Sequence, residues 1–367
     1  MNGEPANKAK VIAFYLPQFH AIPENDAWWG KGFTEWTNVR QAKPLFRGHY
    51  QPRVPGELGY YDLHDANVRE RQAELAREAG VSAFCYWHYW YSGKQLLEMP
   101  LQEVVRLGRP DFPFCLGWAN HSWEKKDWNP KVNALSKTLL VEQTYGDEAE
   151  ITRHFETMLP MFRDPRYFRI RGRLAFLFFK PNDIPRAYFE RFVSRWDALA
   201  SSHGLGGFHW IAQVEHPDEA KLPNASRCSA FNYSPSLFVP NECRLVRALK
   251  KAVSLVFHVP LLRQDYTMAT RRYVSAFGRR SDVYPTVLAG FDHSPRRGRG
   301  GIVLARCTPE TFAHHVRDVL KQLEGRQDAD RIVFLKSWNE WGEGNYMEPD
   351  KRYGNAFIVA LRQALRT

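Results

Sequence analysis

The chain has 367 residues, of which 44% are hydrophobic and 14% aromatic, with 12 tryptophans and a formal net charge of +11 at pH 7. This length fits one large barrel domain of about 250 residues plus insertions, and no run approaches the roughly 20 apolar residues of a membrane-spanning helix. The basic residues are spread along the chain without an RNA- or DNA-binding motif, which argues against nucleic acid and leaves an anionic sugar donor, an anionic membrane surface or a merely basic solvated surface.

The amino-terminal sequence MNGEPANKAK has no apolar core of a secretory signal, and we expect residues 1–10 to form a disordered tail. The cysteines are odd in number, scattered and in no CxxC pair; they are Cys85, Cys115, Cys228, Cys243 and Cys307. This pattern predicts reduced thiols and no disulfide framework or zinc site. We therefore expect a cytoplasmic protein, free or peripheral on the inner face of the cytoplasmic membrane, with no cofactor and no metal.

Eight β-type runs recur along the chain, and several end in aromatic or polar residues. The predicted strands are 11–16, 82–87, 113–118, 174–179, 209–214, 229–233, 285–290 and 331–338. Amphipathic stretches between them predict helices at 65–80, 148–162, 186–202 and 309–325. Strands that alternate with helices predict a parallel sheet with crossover helices. Eight strands without an early glycine-rich phosphate loop favour an α/β (β/α)8 TIM barrel over an open doubly wound sheet.

We predict one domain over residues 11–367 with two insertions. Residues 17–64, after the first strand, are rich in Trp, Pro and Gly, and residues 234–284, between strands six and seven, are basic and partly apolar. Within the second insertion, the basic and apolar residues of 242–264 could form a helix in the plane of an anionic membrane. An ordinary helix packed on the barrel is an equal alternative.

The stretch SWNEWGEGNYMEP (337–349) follows the last predicted strand, where barrel loops build the active site. Glu340 and Glu343 are three residues apart, which on a turn places both side chains on the same side. Two close carboxylates repel, so the pKa of one rises and that group can hold a proton at neutral pH. Glycosyl chemistry needs this division into an acid and a base or nucleophile. A solvated surface loop is the alternative, and the position at a strand end disfavours it.

Loops after other strands repeat the combination of aromatic and polar residues. In the first insertion, the tandem Trp28 and Trp29, flanked by Gly30, predict an exposed binding loop. In CYWHYWYSGK (85–94), Tyr86, His88 and Trp90 share one strand face, which we expect to line the cleft, although core packing is a strong alternative for some rings.

Two further loops carry candidate groups. GWANHSWEKKDW (117–128) supplies polar and aromatic residues after the third strand. LAGFDHSPRRGRGG (288–301) supplies Asp292 and two arginines, Arg296 and Arg297, which glycines could arrange around a phosphate. The residues that we expect to contact a glycan are Tyr15, Gln18, His20, Trp28, Trp29, Glu35, Trp36, Tyr86, His88, Trp90, Trp118, Asn120, His121, Trp123, Asp292, Trp338, Asn339, Trp341 and Glu348.

Four stretches resemble the WbsX-type polysaccharide-biosynthesis proteins, whose domain is similar to glycoside hydrolase family 99. They are YLPQFHAIPENDAWWGKGFTEWTNV, CYWHYWYSGK, CLGWANHSW and SWNEWGEGNYMEP. The resemblance covers roughly residues 10–362. It implies a (β/α)8 barrel and retaining chemistry on α-mannosides. It also implies that Glu340 is the base that deprotonates the sugar 2-hydroxyl, which closes to a 1,2-anhydro sugar, and that Glu343 is the acid for the leaving group. The chain departs from the family at His121 and Ser122, where the family has an acid–amide pair.

Three functions fit these observations. The first is a bacterial enzyme of cell-surface polysaccharide biosynthesis, of the O-antigen or lipopolysaccharide type, which transfers a sugar with retention from a donor such as a nucleotide sugar to a lipid-linked acceptor. The second is an endo-acting, α-mannosidase-like glycoside hydrolase that uses the 1,2-anhydro sugar. The third is a glycan-binding barrel without activity. The absent signal sequence and the 242–264 segment favour the first, and the two retained glutamates argue against the third.

Overall fold

The parallel strands form from near-continuous apolar runs, because strands that are covered on both faces bury almost every side chain. The first, KVIAFY, buries all of its residues after Lys10. The computed structural model describes residues 7–129, 134–237, 260 and 262–367. Its main parallel strands, numbered here β1 to β8, are Lys10–Tyr15, Val81–Tyr91, Phe114–Trp118, Arg173–Phe178, Phe208–Val214, Ala230–Tyr233, Val283–Val287 and Ile332–Leu335.

All eight predicted strands are present, and their bounds differ from the predicted ones by at most four residues. The second strand extends to Tyr91 instead of residue 87, and the last ends at Leu335 instead of residue 338. The chain folds as the predicted (β/α)8 barrel of parallel strands and helices. The four predicted helices are also present, although the last ends at Leu320 and continues as the 3-10 turn Lys321–Leu323. The division into a tail of residues 1–10 and a domain of residues 11–367 stays a prediction.

The chain divides into two compact units, and the first comprises Met1–Ser82 and Ser234–Thr367. In this unit β8 pairs in parallel with β1, Lys10 opposite Ile332, and with β7, Thr286 opposite Phe334. A smaller parallel pair joins the strands Leu262–Asp265 and Ile302–Ala305. The described helices of this unit are Pro23–Trp29, Glu35–Gln41, Ala66–Ala79, Tyr266–Thr270, Ser294–Arg297, Pro309–Leu320 and Ala356–Arg366.

The second unit, Ala83–Tyr233, holds β3 to β6 and most of β2, each strand parallel to the next. Its described helices are Met99–Leu107, Glu148–Arg163 and Arg186–Ser202. Rings of Phe192 and Trp196, on the last of these helices, pack on Phe176 of β4 and on Trp210 of β5. This aromatic layer explains part of the high tryptophan content as core.

The helix Ala66–Ala79 shows how local sequence signals fix the element bounds. Asp65 accepts a hydrogen bond from the backbone N–H of Asn67 at the start, which satisfies one of the free donors of the first turn. Gly80 ends the helix in the left-handed conformation, with φ 85°, which glycine adopts without steric cost. The predicted helix over 65–80 and its predicted end at Gly80 are therefore confirmed.

Several elements were not predicted, among them the helices Met99–Leu107 and Ala356–Arg366. The insertion of residues 17–64 contains two seven-residue helices, and Trp28 and Trp29 end the first of them instead of lying in a loop. An antiparallel hairpin joins Trp123–Asn129 to Ala134–Val141. Most of the predicted membrane segment 242–264 lies outside the described residues. None of the helices in the described part of the chain is long and apolar enough to cross a membrane, and the cysteines described there, Cys85, Cys115, Cys228 and Cys307, are free thiols.

Candidate active site

The segment after β8 is fixed to the end of β1 by paired hydrogen bonds. The side-chain amide of Asn339 accepts from the backbone N–H of Leu16 at 2.8 Å and donates to the Leu16 carbonyl at 3.0 Å. The chain then turns back through a two-residue antiparallel pair, Asn339–Glu340 with Asn345–Tyr346. The 3-10 turn Trp341–Glu343 lies between the two halves. Glu340 directly precedes this turn and Glu343 ends it.

The guanidinium of Arg296 joins three carboxylates at this turn. Its Nη2 donates to Oε1 of Glu340 at 2.6 Å, and its Nη1 donates to Oε1 of Glu343 at 2.7 Å. Nε and Nη2 both contact Oε2 of Glu35, at 3.1 and 2.9 Å. The second oxygens of Glu340 and Glu343 make no hydrogen bond to any residue that the structure describes. Arg296 therefore holds one edge of each carboxylate and leaves the other edge for a ligand.

The two glutamates differ in charge. Burial raises the pKa of Glu340 above its usual range, and the attraction of Arg296 only partly opposes this effect. Burial would also raise the pKa of Glu343, but the positive charges of Arg296, Lys336 and Arg297 lower it below the usual range. His293, whose Nε2 lies 3.7 Å from Oε1 of Glu343, is neutral at pH 7 because burial lowers its pKa to about 4. The free protein thus keeps the proton on Glu340.

Two glycines leave the space that these close contacts need. A Cβ on Gly342 would collide with the Glu35 carboxylate and come within 2.8 Å of Nε of Arg296. Gly344 has φ +55°, and a Cβ there would lie 2.8 Å from that of Asp292. The sequence analysis did not single out either glycine. The spacing WGEG, two glycines beside a candidate acid, is the signal that could have indicated them.

Asp292 anchors the neighbouring loop. Its Oδ2 accepts from Nε2 of His49 at 2.8 Å and from the Gln51 amide at 2.7 Å, and its Oδ1 accepts from the Ser294 N–H at 3.0 Å. Nδ1 of His49 accepts from the Leu45 N–H, so its proton is on Nε2, which points at the carboxylate. These bonds outweigh burial and hold the pKa of Asp292 at about 2. The residue is 1% exposed, so its place in the free protein is structural.

Glu348 lies behind the turn and is also enclosed by donors. It accepts from the indole of Trp341 at 2.6 Å, from the Tyr61 hydroxyl at 3.0 Å and from the Gln72 amide at 2.6 Å. Burial raises its pKa to about 7, against the effect of these hydrogen bonds. Tyr15 donates to the same Gln72 at 2.8 Å. Tyr15 and Glu348, both predicted glycan contacts, therefore belong to one buried network that supports the turn.

The other residues predicted from the first loop and the last strand differ in exposure. Trp29 is 39% exposed and Trp28 is half-buried. His20 and Trp36 are buried, and Trp36 donates to the Tyr61 carbonyl at 2.7 Å. Gln18 is half-buried, and its carbonyl accepts from the N–H of Glu35. Trp338, Asn339 and Trp341 are at most 1% exposed. Of this group, Gln18, Trp28 and Trp29 are the ones that keep exposed surface.

In the second unit, the predicted face of β2 is turned toward a helix. Trp90 stacks on His154 of the helix Glu148–Arg163, with centroids 4.2 Å apart, and His88 lies with its Nε2 2.8 Å from that of His154. Trp118 of β3 packs against the same histidine. Tyr86, at 4% exposure, is on the same strand face. Contrary to our expectation for a cleft, these side chains fill the layer between strands and helices.

The opposite face of β2 carries Trp87 and Tyr89, which the sequence analysis passed over. Trp87 packs edge-on against Phe179, 5.4 Å away, and Tyr89 packs edge-on against Trp123. The ring centroids of His121 and Phe179 are 5.2 Å apart. Side chains on a strand alternate between two faces. The rings of Trp87 and Tyr89 on the second face were therefore the sequence signal that could have indicated this cluster.

The loop after β3 is held by Asn120. Its side-chain amide donates to the carbonyl of Lys180 at 2.7 Å and accepts from the N–H of the same residue at 2.9 Å. Asn120 is 1% exposed. The residue that we predicted as a glycan contact thus also fixes the backbone after β4.

One of the two arginines of the predicted phosphate site contacts carboxylates of the protein instead. Arg296 is surrounded by the carboxylates of Glu35, Glu340 and Glu343, which would repel a phosphate. Arg297 is half-buried at the end of the helix Ser294–Arg297, and its role stays a prediction. Among the described residues, no group of three His, Cys, Asp or Glu side chains is placed to hold a metal ion.

Comparison with known proteins gives the family. Residues 11–361 match the model of the family described as glycosyltransferase WbsX. The protein WxcX of Xanthomonas campestris pv. campestris is 36% identical over 362 residues, which are 97% of this chain and 50% of WxcX. The chain therefore spans about half the length of the curated relatives it matches.

Two solved structures share the fold. One is described as a glycoside hydrolase-like protein, with a TM-score of 0.62 and 12% identity over 99% of this chain and 96% of that one. The other is the GH99 endo-alpha-mannosidase of Bacteroides thetaiotaomicron, with a TM-score of 0.56 and 13% identity over 97% of this chain and 94% of that one. At these identities the likeness concerns the fold. The family match shows that the chain belongs to the WbsX glycosyltransferase family, and the two structures show that proteins described as glycoside hydrolases share its barrel fold.

Proposed function

We propose that this chain is the catalytic barrel of a retaining glycosyltransferase of cell-surface polysaccharide biosynthesis, of the O-antigen or lipopolysaccharide type. The observation that carries the proposal is the pair Glu340 and Glu343, side by side on one turn, each with one oxygen held by Arg296 and the other without a described partner. A pair of carboxylates with opposite pKa shifts suits acid–base chemistry at a glycosidic bond. A glycan is the proposed substrate, and a nucleotide sugar and a lipid-linked acceptor are the proposed donor and acceptor.

We assign Glu340 as the base and Glu343 as the acid, in line with the resemblance to glycoside hydrolase family 99. In the free protein the proton is on Glu340, which is the reverse order. The assignment therefore requires the substrate to draw Arg296 away from Glu343, so that the pKa of Glu343 rises and it accepts the proton. The sugar 2-hydroxyl would then lose its proton to the ionised Glu340 as its oxygen closes on the anomeric carbon and the leaving group departs with the proton of Glu343.

The test is to incubate the protein with panels of nucleotide sugars, lipid-linked acceptors and α-oligosaccharides and to read the products by mass. We expect an acceptor that gains one sugar residue, and no such product from Glu340→Gln or Glu343→Gln. Shortened α-oligosaccharides without any transfer product would instead identify a hydrolase. If the two variants formed the same products as the wild-type protein, the glutamate pair would not be the catalytic site.

A further inference from the structure

A second pocket lies at the carboxyl ends of β4 and β5, within the second unit. The loops after the two strands enclose a cavity of about 240 Å³ that is lined by Phe179–Asp183, Gln213, Glu215, Glu219 and Leu222. In (β/α)8 barrels, loops at these strand ends bind ligands. The volume lies below the about 300–1,000 Å³ of pockets for drug-sized ligands. The cavity therefore has room for one sugar ring.

The wall of this cavity contains a buried polar group without a partner. Gln213 is 5% exposed, and its amide oxygen is buried without a hydrogen bond. Its side chain makes no hydrogen bond to any residue in the described part of the chain. Because an unpaired buried amide destabilises the folded state, native proteins rarely keep one unless a ligand or another function uses it. A ligand hydroxyl in the cavity would supply the missing donor.

The backbone after β4, which also lines the cavity, is held by side-chain hydrogen bonds. Asn120 bonds both the N–H and the carbonyl of Lys180. The Asn224 amide donates to the carbonyls of Pro181 and Ile184, at 2.8 and 2.7 Å. A wall fixed by these hydrogen bonds needs little ordering when a ligand binds, which favours affinity.

The chemistry of the lining indicates the class of ligand. Asp183 and Glu215 offer exposed carboxylates, whereas Lys180 offers the one ammonium group among the lining residues. This acidic excess repels phosphates and carboxylates and accepts hydrogen bonds from hydroxyls. The half-buried ring of Phe179 adds an apolar surface beside these groups. Hydroxyl groups around an apolar ring face are the features of a neutral sugar.

We propose that this cavity is a binding subsite for one neutral hexose ring of the glycan, with the Gln213 amide bonded to its hydroxyls. The inference rests on the proposed function, because it names a substrate subsite of that enzyme. The subsite is distinct from the proposed catalytic pair, because neither Glu340 nor Glu343 lines the cavity.

The experiment measures binding and not turnover. Saturation-transfer NMR with methyl α-D-mannopyranoside and with D-glucuronate is recorded on the full chain, on Gln213→Met and on Lys221→Ala. Methionine keeps the size of the side chain but removes both polar groups. Lys221 is a matched control, because it belongs to the same loop but bonds the exposed Asp218 at 2.7 Å and does not line the cavity.

We expect wild-type and Lys221→Ala to bind the mannoside and Gln213→Met to bind it about tenfold more weakly, which corresponds to one lost hydrogen bond. Glucuronate should bind more weakly than the mannoside. Equal mannoside binding by Gln213→Met, absent binding by the wild-type protein, or preference for glucuronate would each overturn the proposal.

Thermal unfolding shows whether Gln213→Met is folded, and we expect its Tm to equal or exceed that of the wild-type protein because the unpaired amide is gone. A large fall in Tm would contradict the claim that Gln213 has no partner in the free protein. Glu343→Gln should keep mannoside binding. If Glu343→Gln binds the sugar but the wild-type protein forms no product with any donor, the proposed function fails while this subsite stands.

Discussion

Glu340 and Glu343 contact the same guanidinium at nearly equal distances, 2.6 and 2.7 Å, yet their pKa values shift in opposite directions. Their surroundings account for the difference. The side chain of Glu340 is 13% exposed and that of Glu343 is 25% exposed, so Glu340 loses more hydration. Glu343 also has Lys336 and Arg297 nearby, whose charges stabilise its anion. Desolvation therefore dominates at one carboxylate and attraction at the other.

The first prediction concerns the roles of the two glutamates. Glu343→Gln should nearly abolish turnover of substrates with poor leaving groups and should spare substrates with good ones, because a good leaving group needs little protonation. Glu340→Gln should damage both kinds, since it removes the base for the attacking hydroxyl. Such losses are typically about 10²–10⁴-fold. Steady-state kinetics on paired substrates checks this, and the opposite pattern would exchange the two roles.

The second prediction concerns pH and stability. A carboxyl group whose pKa is raised in the folded state stabilises the protein below its unfolded pKa, and this contribution is lost as pH rises through the folded pKa. The contribution of Glu340 should therefore fall by on the order of 3–4 kcal/mol between pH 5 and pH 8. Over this range the unfolding free energy of the wild-type protein should change in that direction relative to Glu340→Gln, because the other titrating groups are the same in both proteins. Denaturant unfolding at the two pH values measures it. A pH dependence that is the same in both proteins would show that Glu340 is not protonated in the native state.

At the scale of elements, the turn after β8 depends on backbone space as much as on its charged residues. Glu35 and Arg296 can meet at Gly342 because that residue has no side chain. Gly342→Ala should lower stability by about 1–3 kcal/mol, as overpacking of a filled site does, and should also weaken catalysis. Gly300→Ala is the control, because a Cβ there meets nothing within 4 Å. Equal unfolding free energies for the two variants would contradict this packing.

The elements themselves were predictable where apolar runs and end signals are strong, as in β1 and in the helix ending at Gly80. Which face of β2 packs against a helix was not predictable. Side-chain alternation places Trp87 and His88 on opposite faces of the strand, but it does not say which of the two faces meets the helix. Arg296 was noticed as a cation, but its contact with Glu35, 261 residues away, follows from tertiary structure that no local pattern records.

At the scale of the whole molecule, the net charge of +11 contrasts with the acidic residues of the two sites described above. The excess of positive charge must therefore act elsewhere on the chain or merely be solvated. The sequence of 242–264, which lies almost wholly outside the described residues, combines five Lys and Arg residues with Leu, Val and Phe. Attraction of such a segment to anionic lipid is worth about 1 kcal/mol for each basic residue near the surface.

We therefore predict that the full chain pellets with anionic vesicles at low salt and that added salt weakens this binding, because screening acts on exposed charge. Replacing four of the segment's five basic residues by Gln should reduce pelleting strongly; these are Arg244, Arg247, Lys250 and Lys251. A control with the same net charge replaces four exposed basic residues elsewhere, Lys43, Arg47, Arg271 and Arg279. If the two variants pelleted equally, net charge alone would cause the binding. If the wild-type chain stayed in the supernatant at low salt, the segment would have no membrane role and a donor or acceptor would have to reach the barrel from solution.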